Sequence, residues 1–539
     1  MITEFKPIIE RHISFWQKRL GVRERFPVKP WSKSEREALR AFNERAAGSR
    51  GLSRDVARHI DDLGEPGSLV VIAGQQAGLF VSPLYTLYKA IAAVHWAGRL
   101  AEVFECNVIP AFWIASEDHD FEEVSAVARV NREGETVWWK YGLPGKPGQS
   151  VFDIPAVKDE LNKYLELLET DAPDTEFKAA ALGDWRRIAA ESSNLEDFFA
   201  RGMMELLGEF GLVLVSPRLE PIRKRGAEIL RVEIEKAGES TNRLLECAEA
   251  MRGRSETPPI HRNPEDVNFF VYREGLRCKV VHQGGDFRIL KPGSGETLEI
   301  LKSDKMLAEL KAHPDRFSPN VATRPAIQDS ALPVIAMIGG PGEQVYMRMI
   351  GEAGLPDLFG TCPHLVLARP RAILIEPRVE KLLEKYEIPL SLLENEDWKG
   401  LEDHLERAGE GGPALAALDA LRANTRLAFE RFEREIGLPG RAPEMKTAIE
   451  RSAEGVEKTL LKMEGRLREL IRREKTYAGQ HLDKIARALR PDNSPQERAL
   501  GPLSPFLINH GPAFIHWLVK NLDLDSERPQ TLMLSELER

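Results

Sequence analysis

The sequence predicts an α/β protein with a doubly wound core, segments inserted between its strands, and a C-terminal antiparallel α-helical coiled-coil arm. Three observations carry that prediction. Residues 69–94 pass from a short β-branched run through a glycine turn into helical spacing, and residues 334–350 repeat the pattern. Farther on, Ile449, Ala453, Val456, Leu460, Met463, Leu467 and Leu470 recur at a strict 4-3 spacing. A buried strand, a glycine bend and a helix form the repeating unit of parallel sheets. The 4-3 stripe is the seam along which two helices pack.

The first unit contains Gly74, Gln75, Gln76 and Gly78 between its strand and its helix. Glycines let the chain bend sharply and bring backbone N–H groups close to a ligand, and Pro83 can open the next helix. Leu87, Ile91 and Val94 fall on one helical stripe, with Lys89 off it. The arrangement predicts a pocket for an anion above the strand's carboxyl end.

The second strand, residues 108–115, runs directly into Ser116, Glu117, Asp118, His119 and Asp120. Several consecutive ionisable groups are costly to bury together, so they belong at a strand tip, where open α/β sheets bind ligands. Asp120 and Glu123 have the spacing of a helix-capping box. Glu117, Asp118 and His119 remain as catalytic candidates, suited to binding an amine, acting as a general base, or standing around a metal. No second group of metal-type ligands accompanies them at helical spacing, so no metal ligand is assigned and the metal requirement stays open.

Residues 317–350 hold the second unit. Pro325 biases Arg324 to the position just before a helix, and its guanidinium suits a carboxylate or phosphate. Asn320 and Thr323 read as turn and cap residues first and ligand contacts second. Gly339, Gly340, Gly342 and Glu343 come directly after a buried strand, as a backbone approaching a ligand requires, and Tyr346 lies one turn into the helix.

Length and charge narrow the class. A chain of 539 residues exceeds one ordinary core. The organisation reads as residues 1–127 for N-terminal helices and the first half of the core, 128–316 for an inserted mixed α/β region, 317–378 for the second half, 379–490 for the arm, and 491–539 for a segment packing back on the core. The insertion should hold strand pieces at 137–141 and 151–154 and a small antiparallel sheet turning at Arg273-Glu274-Gly275 and Gln283-Gly284-Gly285. A net charge of −9 with mixed signs excludes a nucleic-acid binder held by bulk charge. No membrane-length apolar run and no signal-like start are present, so a cytoplasmic protein is expected. The four cysteines have no metal-like or redox-like spacing and are expected as reduced core thiols.

The arm predicts one helix over 443–489, about 70 Å if continuous. Its antiparallel partner is residues 413–436, with Leu418, Leu421, Ala428 and Phe432 on the seam and a turn at Gly437-Leu438-Pro439-Gly440. The second arm outruns the first, so part of its stripe needs another surface, either the helices around 379–405 or a second subunit, and a homodimer through the arm is expected. Arg498, Asn509 and His510 are candidates for a second pocket where arm and core meet.

AGQQAGLFVSPLYTLYKA, PAFWIASEDHDFEEV, FSPNVATRP and IGGPGE, in this order and with the closing NHGPAFI, resemble the bacillithiol-biosynthesis cysteine-adding enzyme family. The resemblance spans nearly the full length. It implies a Rossmann-like core with inserted connecting segments, a coiled-coil domain, dimerisation, and the joining of L-cysteine to glucosaminyl-malate through an amide bond. A nucleotide, ATP or ADP, is then implied for activating the carboxylate. The first strand-to-helix turn reads GQQAG, without the paired histidines of a class I synthetase-like site, so ATP would be used by another arrangement. On this reading Glu117, Asp118 or His119 binds or deprotonates the amine, Lys89 and Arg324 hold anionic groups, and the two glycine loops supply N–H donors. A nucleotidyltransferase-like ligase acting on another amine and a non-catalytic coiled-coil scaffold are the alternatives.

Overall fold

The computed structural model of the chain describes residues 13–143, 145–408, 412–435, 443–473, 477–524 and 528–538. It divides into two compact units, residues 1–371 with 497–527, and residues 372–496 with 528–539.

The first unit is built on five parallel strands: Leu69–Gln75 (β1), Val108–Ile114 (β2), Val213–Val215 (β3), Val334–Gly339 (β4) and Val366–Ala368 (β5). Their spatial order is β5-β4-β1-β2-β3. The chain therefore winds outward from β1 to β3 on one side, then returns to the other side of β1 for β4 and β5. β2, β3 and β4 are buried at every residue, as a sheet covered on both faces requires. The helix Tyr85–Phe104 crosses over from β1 to β2 and packs on both strands and on β4. It is buried nearly all round, Lys89 included, because it lies across the middle of the sheet.

Its start differs from the expectation. Pro83 does not open the helix. A single 3-10 turn, Leu79–Val81, intervenes, and Phe80 and Val81 sit at φ +54° and +58°. A β-branched residue in that region is strained unless packing dictates it. Here the Phe80 ring is held 4.6, 5.2 and 5.1 Å from the rings of Tyr164, Trp185 and Phe198.

The insertion contributes four strands of a second, antiparallel sheet, whose order is Phe317–Pro319, Asp266–Arg273, Leu276–Gln283, Asp286–Leu290, Thr297–Lys302, the first of them from just beyond the insertion. Its tight turns fall at Glu274-Gly275 and Gly284-Gly285, all at positive φ, as two-residue hairpins demand. Thr136–Lys140 pairs with Ala126–Val130. Residues 151–154 are not a strand. Val151–Asp153 is a 3-10 turn whose N–H groups serve the acidic tip after β2: Val151 donates to the Asp118 carbonyl (2.9 Å) and Phe152 to that of Ser116 (3.0 Å).

In the second unit Ala372–Ile375 pairs in parallel with Gln530–Met533. Ile373, Ile375, Val379, Leu383, Leu393, Leu401, Ile485 and Leu489 make its core. The long helices are Gly412–Glu435, Pro443–Arg473 and Tyr477–Leu489; the predicted turn at 437–440 and the junction at 474–476 lie outside the described residues. Asp403, on the preceding helix Trp398–Ala408, pairs with Arg468 (2.9 Å), whereas Arg422 of Gly412–Glu435 pairs with Glu464 (2.7 Å) and Glu457 (3.1 Å), so partners descend as the chain ascends and the packing is antiparallel. The seam of Gly412–Glu435 is Leu415, Leu418, Arg422, Thr425 and Phe429. Leu421 and Phe432, predicted on it, are 47% and 50% exposed, and Ala428 is exposed as well. The register differs because Arg422 occupies a seam position, its guanidinium paired with two glutamates of the facing helix. Ile449 and Leu460 are buried as expected, while Met463 and Leu470 are 48% and 55% exposed. No helix among the described residues is long and apolar enough to cross a membrane.

Candidate active site

Parallel register brings the strand tips level. Gln75 of β1 stands opposite Ile114 of β2, Ala73 opposite Ile338 of β4, and Gly339 of β4 opposite Ala368 of β5. The turns leaving these strands therefore meet at one edge of the sheet. Between β1 and β4 the winding direction reverses, and such a switch point opens a crevice. A cleft of about 690 Å³ lies there, lined by the GQQ turn, the acidic tip, the GGPGE turn and Arg324.

Lys89 ties two of these turns together. Its buried ammonium donates to the Gly74 carbonyl (3.0 Å) and to Gln75 Oε1 (2.8 Å), and forms an ion pair with Glu343. Glu343 in turn accepts the Gly340 N–H (2.8 Å), closing the cap of the helix Pro341–Glu352. An ammonium has three donors, and all three are taken inside the protein. Burial pushes the Lys89 pKa down against the pull of Glu343. Lys89 thus lines the cleft and braces it.

The acidic tip sorts into different fates. Ser116 is fully buried and donates to Glu196 Oε1 (2.5 Å), the oxygen that also accepts from Ser216 (2.7 Å), so it faces away from the cleft and clamps the ends of β2 and β3. Glu117 reaches the cleft wall but forms a buried ion pair with Arg223, which also bonds the Phe317 carbonyl. Asp118 Oδ2 accepts from Gln76 Nε2 (2.9 Å), Oδ1 accepts the His119 N–H (2.8 Å), and Arg277 stands 3.9 Å away. Burial raises the Asp118 pKa, yet Arg277 and Gln76 outweigh it and hold the carboxyl below its ordinary value.

His119 Nδ1 lies 3.2 Å from Arg277 Nη1. A guanidinium only donates, so Nδ1 presents its lone pair and the neutral ring carries its proton on Nε2. Burial first, and Arg277 second, depress the His119 pKa and keep the ring neutral. Asp120 is exposed, makes no capping bond at the head of Phe121–Val124, and does not line the cleft. The predicted capping box does not form. Glu123 lines the cleft instead, close to Gln76.

The cleft is lined by cationic groups as well. Arg324, the first residue of the helix Arg324–Ala331 and not the residue before it, donates to the Tyr346 hydroxyl (2.9 Å). Arg369 pairs with Glu497 (2.6 Å) and lies 5.2 Å from the centre of the Tyr85 ring; Arg498 lies 6.0 Å from it. Arg498 therefore belongs to this cleft. Asn509 and His510 do not line it, so the three are not together in this cleft. Asn320 lines the cleft as a turn residue, its Oδ1 accepting the Ala322 N–H (2.8 Å). Thr323 is fully buried, donating to the Asn268 carbonyl (2.5 Å). Gly340 and Gly342 face the cleft; Gly339 does not, and its lack of a Cβ serves Val366, whose Cγ1 would stand 2.6 Å from one.

Sequence reading missed Tyr85, Glu123, Phe270, Arg277 and Arg369. Arg277 and Phe270, stacked at 3.9 Å, come from the antiparallel sheet and carry no local signal. Arg369 did carry one, since it directly follows β5 and had to sit at the strands' carboxyl ends. No group of three or more His, Cys, Asp or Glu able to hold a metal occurs among the described residues.

The strand order, the switch-point cleft and the antiparallel helices of the second unit define a Rossmann-like α/β protein with a coiled-coil domain. Residues 10–353 match the model of the bacillithiol biosynthesis BshC N-terminal Rossmann-like domain, and residues 372–532 that of the BshC C-terminal coiled-coil domain. The chain belongs to the bacillithiol biosynthesis BshC family. It is 30% identical to the protein of Heliobacterium modesticaldum named "Putative cysteine ligase BshC", over 88% of this chain and 85% of that one. Proteins of the same name from Salinibacter ruber (29%, over 98% and 94%) and Chlorobaculum tepidum (30%, over 90% and 86%) are similar along comparable lengths.

Proposed function

We propose that the protein is a ligase that joins L-cysteine to the amine of glucosaminyl-malate through an amide bond, forming bacillithiol. The mixed charge of the cleft carries this reading. Asp118 and Glu123 line it together with Arg324, Arg369 and Arg498. Glucosaminyl-malate bears an amine at one end and carboxylates at the other, so its charges complement those of the cleft. The name borne by the relatives points the same way.

An amide does not form from a free carboxylate without activation, and ATP is the proposed source, as an acyl phosphate or acyl adenylate. The groups suited to its phosphates are the N–H donors of Gly342 and Glu343 in the first turn of Pro341–Glu352 and the Arg324 guanidinium. The GQQAG turn is a poorer seat, because its helix begins only at Tyr85, beyond another turn. In the reaction the arginines orient the carboxylates, and the His119 Nε2–H is placed to donate to a developing oxyanion.

A cytoplasmic location and a homodimer through the coiled-coil arm complete the proposal. Leu421, Leu427, Phe432, Met445, Leu461, Met463 and Leu470 leave large apolar side chains exposed on the arm, which a second copy would cover. The test incubates the purified protein with L-cysteine, glucosaminyl-malate and ATP. A thiol product whose mass is the sum of the two substrates less one water, formed with consumption of nucleotide, is expected. No such product with ATP, ADP or GTP overturns the reading.

A further inference from the structure

Five groups that could take a proton from a substrate line the cleft: Glu117, Asp118, His119, Glu123 and Glu343. Four already stand against a cationic side chain. Glu117 is locked to Arg223, both buried. Glu343 is shared between Lys89 and the Gly340 N–H. Asp118 accepts from Gln76 and from the backbone, and His119 Nδ1 accepts from Arg277. Glu123 alone has no ion pair among the described residues, and its carboxylate opens into the cleft.

Gln76 supplies an independent pointer. Its Nε2 faces the Asp118 carboxylate, which fixes the amide's orientation, since the reversed amide would set oxygen against oxygen. Its Oε1 is then buried with no hydrogen-bond partner. A buried acceptor left open is costly unless a ligand brings the donor. The Gln76 amide stands between the Asp118 and Glu123 carboxylates in the cleft, and two carboxylates beside an open carbonyl oxygen call for a group with several N–H donors and positive charge, which describes a primary ammonium.

We propose that Gln76 Oε1, Asp118 and Glu123 cradle the substrate's ammonium and that Glu123 is the catalytic base that takes its proton. This deepens the ligase reading and rests on it for the identity of the amine. One proton passes from the ammonium nitrogen to the Glu123 carboxylate. The freed lone pair attacks the carbonyl carbon of an acyl phosphate or acyl adenylate of cysteine. The C–O bond to the phosphate breaks with its electron pair leaving on the phosphate oxygen, and the nitrogen's second proton passes to that leaving group. The groups facing Glu123 are Gln76, Asp118, Asp120, Lys89 and Tyr85, and partial burial raises its pKa in spite of the hydrogen bond from Gln76. That direction suits a base working near neutrality.

Two measurements on the whole protein test this. Calorimetry compares glucosaminyl-malate with its N-acetylated form. The wild type should favour the free amine by at least about tenfold, and Glu123→Gln and Gln76→Leu should lose that preference. No preference in the wild type overturns the cradle whether or not ligation occurs, whereas a preference without any ligated product overturns the ligase reading and leaves the cradle standing. In the ligation assay Glu123→Gln should be slower by roughly 100-fold to 10,000-fold at neutral pH. Its rate should then climb by about tenfold per pH unit as the amine loses its proton unaided. A Glu123→Gln rate within about threefold of wild type, with the same pH profile, overturns the assignment of the base.

Discussion

Lys89, on the helix after β1, and Glu343, in the first turn of the helix after β4, form an ion pair that links the two turns flanking the switch point. The Lys89 side chain is 4% exposed and that of Glu343 21%. Removing one partner of such a pair strands the other, so Lys89→Met should cost about 3 kcal/mol. The expected result is a lower urea midpoint for the first unit, with the Gly74 carbonyl and Gln75 side chain also left without their donor. An unchanged midpoint would show that the tie contributes nothing.

Gly339 and Val366 make a second testable pair. A Cβ on Gly339 would stand 2.6 Å from Val366 Cγ1, so Gly339→Ala should destabilise by about 1–3 kcal/mol through overpacking. Val366→Ala in the same chain should recover much of that loss. A double-mutant cycle reads the coupling, and simple additivity would sink the explanation.

Glu233 provides a pH signature away from the cleft's chemistry. It is 1% exposed, accepts from Ser240 Oγ and the Asn268 N–H (both 2.8 Å), and burial pushes it up to about 7. A carboxyl whose folded pKa lies above its ordinary 4.5 binds its proton more tightly in the folded state. Its stabilising contribution is full below 4.5 and is lost as pH rises through about 7. Glu233→Gln keeps both accepted bonds and removes the titration. Between about pH 5.5 and pH 8 the variant should gain roughly 2 kcal/mol relative to wild type in urea unfolding.

The His119 ring should titrate below its ordinary value, with the proton of its neutral form on Nε2. Arg277→Met should raise that pKa and free the tautomer. Nitrogen shifts of histidine-labelled protein across a pH series report both, and a neutral ring protonated on Nδ1 would contradict the geometry.

On the arm, Met463→Glu combined with Leu470→Glu should convert a two-chain particle into a one-chain particle by sedimentation at micromolar concentration. A wild-type protein that already sediments as one chain would remove the dimer from the proposal.

The sequence by itself determined the core strands β1, β2 and β4, the bends after them and the long helices, because those depend on spacing and on residues adjacent in the chain, whereas the strand expected at 151–154 is a 3-10 turn. Gly74-Gln75-Gln76, Glu117-Asp118-His119 and Gly340-Pro341-Gly342 were legible as strand-tip groups, since a buried run has to deliver its polar continuation to the sheet's edge. Only the tertiary structure decided which of those groups remain open to a ligand. Lys89, Ser116, Glu117 and Thr323 look as chemical as Asp118 or Arg324 in one dimension, yet each is consumed by a partner from another segment. Arg277 arrives from a sheet some 160 positions farther along the chain than His119 and fixes its proton. Whether a lone pair or a donor is free is settled by contacts distant in sequence, and local pattern carries no record of them.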